Sequence, residues 1–573
     1  MKTKLWMIIL LTVLLIVVIG ITLFYGDHEY EFSEEDNYPS IVVSEHEIKT
    51  KIKAWEDSDT GIVHYFLPGG IDSKTVYRGD IKKEELSFGK KNNWCIKFSP
   101  NEEYDFSYKG KEFKAVFHVI PNISSVFINT KSGSMKKINA DKDKTETGNI
   151  VSISKEGTIE HFGELKKIKG HGNVTWDVDE EKKPYSIELD SKGNIGELTD
   201  VEDLLLLSMY YDGDKIHSKL ALDLAQIFEP ELSVRSTYVS LYLNGEYVGL
   251  YLATDPPKKL EGLNSKDSEF LIEKDFQERA EEETCFTLED GTYFCISRPK
   301  QPSDAFIEEI EDYIQNIDYE LRDGITDLID VESFAKQFLM QQLTHNNDAF
   351  RTSVFFYKNM DDMRLYAGPA WDFDGGFGEF IHSYGEFVNT KADVFIEDYS
   401  QLEWYKILSE NEEFCETARY VLENNIEAIE TLYTEGIDHY EKILKEAYEA
   451  EDARWKWNDI TDFYRAGNYK TWENNVRYLK YFCGERLKAI CEYHGVDTSI
   501  GDFDGSKEVH TVRILDGNNE LLSLSVEDGD TIKLDDYPEV KDERWHFDYF
   551  NESFYDYLPI LEDLDLILYK PGG

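Results

Sequence analysis

Apolar residues between positions 330 and 345 recur at the spacing of an amphipathic helix. The repeating positions are Val331, Phe334, Ala335, Phe338, Leu339 and Leu343. Asp330 precedes them as a favourable N-cap, because its carboxylate can accept backbone N–H groups of the first turn. The pattern therefore predicts a helix that begins after Asp330 and ends near His345.

A β-hairpin between two acidic loops is predicted directly after this helix. Ser353–Lys358 and Arg364–Gly368 are rich in β-branched, aromatic and long apolar residues, and a polar connection separates them. A hairpin returns the chain to its starting end. Asp348, which precedes the first strand, and Asp372, which follows the second, are therefore expected to face the same space.

The rest of the pattern predicts an α+β protein of several domains. Apolar and polar residues alternate between positions 38 and 120, as in a small β domain. Tyr238–Ala253 alternates around Asn244-Gly245, the favoured two-residue turn of a hairpin. Helical spacing prevails in 304–317 and in most of 402–494, and strands return near the C-terminus. The 573 residues suffice for about three or four domains.

The segment Leu5–Phe24 contains no charged residue and predicts one membrane helix. At 1.5 Å per residue it would span about 30 Å of hydrocarbon. Lys2 and Lys4 precede it and acidic residues follow it. The positive-inside rule therefore predicts a single-pass protein with a cytoplasmic N-terminus and an extracytoplasmic remainder. A cleaved signal peptide is the alternative, although no small-x-small cleavage site follows the segment.

Composition narrows the classes of partner. The chain has 61 Lys and Arg residues against 114 Asp and Glu residues, which gives a net charge of −53. Such a charge disfavours binding to nucleic acid and to anionic membrane surfaces, and it favours a cation or a basic partner. Most of the acidic residues are expected to form a solvated surface.

The six cysteines are few for this length, and none belongs to a C-x-x-C motif. Cys285 and Cys295 flank a segment that contains Glu289-Asp290-Gly291. A three-residue loop with Gly291 in the left-handed conformation would place the two cysteines opposite each other, where they could pair in an oxidising compartment. A two-residue turn would put them one position out of register.

The two acidic loops carry residues suited to phosphoryl transfer. Mg²⁺ prefers oxygen ligands, commonly one or two carboxylates completed by water and phosphate oxygens, and Asp372 fits this task. Asp348 could act as the base or positioning carboxylate for an attacking hydroxyl group. Protein kinases have the same order of helix, Asp loop, hairpin and Asp loop, and Ser353 stands where they place a second metal-binding Asn. The alternative is that both aspartates are ordinary turn formers.

Two basic stretches can be interpreted in more than one way. Lys182 and Lys183 stand near glycine turns at the start of a predicted strand, Pro184–Leu189, where adjacent lysines can hold phosphates or form a solvated patch. Lys219 and Asp223 lie one turn apart, off the apolar face of a predicted helix. By default they form an exposed pair.

Several separated blocks occur in an order typical of one family. They are SVFINT at 125–130, KGHGNVTW with KKPYSIEL, DGDKIHSKLALDLA, YLNGEYVGLYL, FLIEKDF at 270–276, NND with SVFFYKN, GPAWDFDGGFG and RYLKYFCGERLKAI. Together they resemble the CotH family, the spore coat protein H type of atypical protein kinases. The resemblance covers about 120 to 495.

The resemblance implies a divergent protein-kinase-like catalytic domain at 121–497. Alternation predicts the small β domains that flank it, at 27–120 and 498–573, and the apolar run predicts a transmembrane anchor at 1–26. The resemblance implies ATP and Mg²⁺ or Mn²⁺ as cofactors. It implies that Asp348 is catalytic, that Asp372 and Asp374 bind the metal, and that Lys183 and Lys219 contact the nucleotide.

Three positions depart from the family pattern. His171 stands where the family usually has Arg, Glu188 where Lys is common, and His217-Ser218 where Arg-Asn is common. The family's positively charged groups at these positions could face ATP, so their replacement could weaken or abolish kinase activity.

The expected function is that of a membrane-anchored extracytoplasmic Ser/Thr protein kinase of the cell surface or spore coat. Its partners would be a nucleotide, a protein substrate with Ser or Thr hydroxyls, and the membrane through the N-terminal helix, with no nucleic acid. A catalytically weak or inactive surface binding or adhesion protein is the alternative, since ATP is scarce outside cells. A surface-layer component with an acidic exterior is a third interpretation.

Overall fold

The computed structural model describes most of the chain beyond residue 28. The described ranges are 29–33, 37–45, 48–70, 77–79, 86–88, 95–96, 98–177, 182–210, 212–263, 268–275, 284–346, 348–378, 382–383, 386–387, 391–396, 402–457, 469–503, 505–540, 544–547 and 554–568. The predicted membrane segment Leu5–Phe24 lies outside them. Within these ranges, no helix combines the length and apolarity needed to cross a bilayer.

The described strands between Glu29 and Ile120 form two sheets. They are β1 Glu29–Ser33, β2 Ser40–Glu45, β3 Ile48–Ile52, β4 Trp55–Glu56, β5 Val63–Pro68, β6 Tyr77–Gly79, β7 Leu86–Phe88, β8 Cys95–Ile96, β9 Glu103–Tyr108 and β10 Lys111–Ile120. Their orders are β3-β2-β1-β6-β8 and β4-β5-β10-β9-β7. The β structure predicted from alternation in 38–120 is thus observed.

The next strands close into a barrel. They are β11 Ser124–Thr130, β12 Glu146–Ile153, β13 Ile159–Gly170, β14 Tyr185–Ile195, β15 Leu198–Leu207, β16 Ser236–Leu243 and β17 Glu246–Thr254, in the order β11-β12-β13-β14-β15-β17-β16. Asn244 and Gly245 have φ values of 52° and 85°, as the predicted hairpin turn requires. Ile128, Ile187 and Leu241 belong to its buried apolar core.

A further five-stranded sheet contains the predicted hairpin beside the acidic loops. Its strands are β18 Ser268–Lys274, β19 Thr284–Thr287, β20 Tyr293–Arg298, β21 Val354–Asn359 and β22 Leu365–Ala367, in the order β19-β20-β18-β21-β22. Phe356 pairs with Ala367 and Lys358 with Leu365, which confirms the hairpin. The short strands β23 His382–Ser383 and β24 Glu386–Phe387 pair with each other.

Cys285 and Cys295 face each other on β19 and β20 and form a disulfide bond. Gly291 has a φ of 94°, and the Leu288 N–H donates to the Thr292 carbonyl, so the loop has the three residues that bring the cysteines into register. The conditional prediction of this pairing is confirmed.

The described helices are α1 Lys136–Ala140, α2 Val174–Asp177, α3 His217–Phe228, α4 Asp304–Arg322, α5 Val331–Thr344, α6 Trp404–Ser409, α7 Glu412–Thr431, α8 Ile437–Trp455 and α9 Trp472–His494. The π-helical turn Leu432–Gly436 lies between α7 and α8. Asp330 caps α5, accepting from the Ser333 N–H, and His345 ends it in the left-handed conformation. Both predicted ends of α5 are confirmed.

The C-terminal strands are β25 Val509–Asp516, β26 Asn519–Glu527, β27 Trp545–Phe547 and β28 Leu564–Leu568, in the order β26-β25-β28-β27. The chain divides into two compact units. The first contains residues 1–208, 237–253 and 443–455, and the second contains 209–236, 254–442 and 456–573. The barrel belongs to the first unit, and the hairpin with its acidic loops belongs to the second.

Candidate functional site

Hydrogen bonds join the two acidic loops at the end of the hairpin. The Asn346 side-chain amide donates to the Asp372 carbonyl at 3.0 Å, and the Ser353 hydroxyl donates to Asp372 Oδ2 at 2.8 Å. The Phe377 N–H donates to the Thr344 carbonyl at the end of α5. The hairpin therefore places the Asp372 loop against the loop that contains Asp348, as the sequence predicts.

The backbone at this point adopts conformations that L-residues rarely take. Phe350, Ser353, Asp372 and Phe377 have φ values of 63°, 56°, 67° and 56°. Each such residue costs about 1–3 kcal/mol and persists where the surrounding structure enforces it, often at functional sites. The left-handed conformation of Asp372 therefore supports a functional role for its carboxylate.

Negative charges are concentrated at the same point. Removal from water, together with the charges of Asp372 and Asp348, raises the pKa of Asp374 to about 8. The three carboxylates that the sequence singles out thus interact with one another. A divalent cation would relieve their repulsion, and carboxylate oxygens are the ligands that Mg²⁺ and Mn²⁺ accept. The donor set therefore fits the implied metal.

A second acidic cluster, which the sequence analysis did not identify as a site, precedes and opens α3. Asp212, Asp214 and His217 are buried, with ligand atoms close enough together to hold an ion. His217 Nδ1 lies 3.0 Å from Asp212 Oδ1 and 3.4 Å from Asp214 Oδ2. Asp214 Oδ1 also accepts the N–H groups of Ile216 and His217, as a helix cap does.

His217 is charged in this cluster. Burial lowers its pKa, but the charges of Asp212 and Asp214 outweigh burial and hold the pKa well above its ordinary value. Without a bound ion, these three residues form an ion-paired cluster, and the departure from Arg at this position does not remove the positive charge.

Lys219 and Asp223 form the predicted pair on α3, but the expectation that the pair is exposed is wrong. The Lys219 ammonium contacts the Asp223 carboxylate, and Lys219 is only 8% exposed. The Tyr440 hydroxyl donates to the other oxygen of Asp223. A residue far along the chain covers the pair, which local spacing cannot predict. A nucleotide contact by Lys219 stays a prediction.

The first unit contains a buried ion pair between Lys182 and Glu451. Both side chains are fully buried, and the ammonium contacts the carboxylate directly. The backbone of Leu250 satisfies both partners: its carbonyl accepts from Lys182 at 2.8 Å, and its N–H donates to Glu451 Oε2 at 2.7 Å. The pair thus joins a residue just before β14 to helix α8.

Gly249 permits this arrangement. Its φ of 121° favours glycine, and an added Cβ would lie 2.3 Å from Glu451 Oε2 and 2.9 Å from Lys182 Cε. Only a residue without a side chain lets the backbone of β17 approach the ion pair so closely.

Lys183, the lysine favoured by the resemblance, has a different environment from Lys182. Its ammonium donates to the Trp176 carbonyl at 2.8 Å and lies 5.1 Å from the centre of the Trp176 ring. Its role as a phosphate contact stays a prediction. Glu188, another departure, makes a half-exposed ion pair with Lys166 at 3.6 Å.

We expect Glu451→Gln to lower the free energy of unfolding by about 3–5 kcal/mol, because the Lys182 ammonium would remain buried without a counter-charge. Urea denaturation followed by circular dichroism measures the change. Glu202→Gln, at a half-exposed ion pair with Lys166 in the same unit, is the matched control and should have little effect. Equal effects of the two substitutions would contradict a buried pair.

The fold and the site together define an α+β protein with a carboxylate cluster suited to a divalent cation. The family model of the CotH kinase protein matches residues 168–490, which is more than half of the chain. The chain belongs to the CotH kinase family. Comparison with curated proteins finds no significant match.

Proposed function

We propose that this protein is an atypical Ser/Thr protein kinase that uses ATP and Mg²⁺ or Mn²⁺. In the reaction, the bond between the γ-phosphorus and its bridging oxygen breaks, a bond to a protein hydroxyl oxygen forms, and ADP leaves. Asp348 would accept the hydroxyl proton. Asp372 and Asp374 would hold the metal, which neutralises charge on the phosphates.

The interaction among Asp348, Asp372 and Asp374 carries the proposal. The charges of Asp372 and Asp348 raise the pKa of Asp374 in addition to the effect of its burial, which supports a site with one candidate base and two candidate metal ligands. Ser353 donates to the Asp372 carboxylate on which metal binding would depend, and Asn346 donates to the backbone carbonyl of the same residue. Turn-forming aspartates would not need this degree of support.

The Lys182–Glu451 pair gives separate support. Protein kinases use a strand lysine paired with a helix glutamate to hold nucleotide phosphates. Lys182 lies just before strand β14 and Glu451 lies on α8, so the pair has the same chemistry and a helix glutamate, with the lysine next to a strand rather than on it. We propose Lys182 as a nucleotide-contacting lysine in addition to Lys183.

We also propose that the protein is anchored in the membrane by residues 5–24, with the remainder outside the cytoplasm. The apolar segment and its flanking charges support this topology. The Cys285–Cys295 disulfide supports it as well, because such bonds persist mainly in oxidising compartments.

An in vitro assay tests the proposed kinase function. We expect the full chain in detergent to transfer labelled phosphate from ATP to a general protein substrate or to itself, and EDTA to abolish the transfer. Mg²⁺-ATP should also raise the thermal midpoint, since a ligand at 100 times its Kd stabilises by about 2.7 kcal/mol. Absence of both effects would reject the proposal.

A nucleotide-binding protein without catalysis is the second candidate. The residues at 171 and 188 favour it, because His and Glu stand there in place of family cations that could face ATP. Metal-dependent stabilisation by ATP without any labelled product would support this candidate over the kinase.

A further inference from the structure

His217 is the first residue of α3, and oxygen atoms lie at both nitrogens of its buried ring. Nδ1 faces the carboxylates of Asp212 and Asp214 at 3.0 and 3.4 Å. Nε2 lies 3.1 Å from the carbonyl oxygen of Asp374. The ring therefore connects the start of α3 to the loop that carries both candidate metal ligands.

The Asp374 carbonyl determines the role of Nε2. A backbone carbonyl can only accept a hydrogen bond, so Nε2 carries the hydrogen and donates to it. This hydrogen bond joins the first residue of α3 directly to the backbone of the Asp374 loop.

The carboxylates that hold the ring are themselves fixed to α3. Asp214 Oδ1 accepts the N–H groups of Ile216 and His217 at 2.6 and 2.9 Å. Asp212 Oδ2 accepts the N–H of Ser218 at 3.2 Å. The carboxylates that face the ring are thus fixed to the start of the helix, and they hold the ring in the orientation that points Nε2 toward Asp374.

A contact at the Asp374 carbonyl affects the orientation of both candidate metal ligands in this loop. Asn346 already holds the Asp372 carbonyl from the side of the hairpin, at 3.0 Å. His217 holds the loop two residues later, from the side of α3. Fixing the backbone at both aspartates limits the directions in which their carboxylates can point.

We propose that His217 is a positioning residue that orients the Asp372–Asp374 loop for metal binding. The proposal rests on the proposed metal-dependent function of that loop. His217 acts through the backbone of Asp374, without contact to substrate or metal. Groups that orient metal ligands in this way commonly contribute about 10–100-fold to metal affinity or activity.

Two uncharged substitutions separate positioning from simple stability. In His217→Gln, the amide nitrogen can take the place of Nε2 and donate to the Asp374 carbonyl. In His217→Asn, the shorter amide takes the place of Nδ1, so it reaches Asp212 and Asp214 but not Asp374. Both variants lose the buried cation, so they share its stability cost, which thermal denaturation measures.

Mn²⁺ alone is the probe, and electron paramagnetic resonance of the free ion gives its Kd for the full chain. We expect His217→Asn to weaken Mn²⁺ binding about tenfold or more. His217→Gln should stay within about threefold of the unchanged protein, although both variants melt at a similarly lowered temperature. Half-saturating Mn²⁺ in the phosphate-transfer assay should shift in the same order.

Three other outcomes overturn the proposal. Equal Mn²⁺ affinity of all three proteins would limit His217 to the ion-paired cluster at the start of α3. Equal losses in both variants would indicate a structural role. Mn²⁺ binding that both His217 variants abolish while Asp372→Asn retains it would place the ion at Asp212, Asp214 and His217. Asp372-dependent Mn²⁺ binding without phosphate transfer would instead reject only the kinase function.

Discussion

Replacing Asp372 by Asn abolishes metal-dependent nucleotide binding and lowers phosphate transfer by roughly 10³-fold, if the loop holds the metal. The substitution keeps the size of the side chain, and its carbonyl oxygen can still accept from the Ser353 hydroxyl. Only the negative charge is lost. A metal contributes several kcal/mol of charge stabilisation in such reactions, which corresponds to the expected loss in rate.

Labelled-phosphate transfer and the thermal shift with Mg²⁺-ATP measure this effect together. Asp361→Asn, an identical substitution at an exposed position of the same hairpin, is the matched control and should change neither quantity. Ser353→Ala removes one hydrogen bond to Asp372 and should lower the rate about fivefold, because such a bond contributes about 1 kcal/mol. Full activity of Asp372→Asn would show that the metal does not bind to this loop.

We expect Asp348→Asn to lower the rate of transfer by about 10²–10⁴-fold while the affinity for Mg²⁺-ATP stays close to that of the unchanged protein. A base acts on the hydroxyl of the protein substrate in the transition state, and its removal reduces kcat more than nucleotide binding. The loop should keep its shape, because the Asp348 carbonyl accepts the N–H groups of Arg351 and Thr352 through the backbone.

Steady-state kinetics with varied ATP separates kcat from KM for Asp348→Asn. The contrast with Asp372→Asn is the informative comparison, since one residue is expected to affect the chemical step and the other to affect binding as well. If Mg²⁺-ATP did not raise the thermal midpoint of Asp348→Asn, Asp348 would be a metal ligand. Unchanged kcat would exclude it as the base.

The local pattern of residues was sufficient to predict the helix, the hairpin and the proximity of the two acidic loops. The spacing from Val331 to Leu343 and the N-cap at Asp330 determine α5 within one stretch of chain. Alternation determines the strands β21 and β22, and a hairpin necessarily brings its two flanking loops to one end. The amino-acid sequence alone was therefore enough to pair the site residues Asp348 and Asp372.

Adjacent lysines could not be assigned in the same way. Lys182 and Lys183 have the same chemistry and neighbouring positions, and which of them is buried depends on Glu451, which lies 269 residues away. The signal present in the sequence is the glycine at 249, whose missing side chain leaves room for the pair. Its importance is visible only when β17 and α8 are placed side by side.

By itself, the sequence determined helix α5 with its N-cap, the Asn244-Gly245 turn, the hairpin of β21 and β22, and the two acidic loops, because each depends on residues close together in the chain. It left the register of the Cys285–Cys295 hairpin open between two turns, and the structure has the three-residue loop. The tertiary structure alone decided that Lys182 pairs with Glu451, that Tyr440 covers Lys219 and Asp223, and that His217 holds the loop of Asp374. These contacts join segments that are distant in the chain. Burial changes the free energy of a charged group far more than its sequence neighbours do, so the local sequence cannot show which charged groups are buried together.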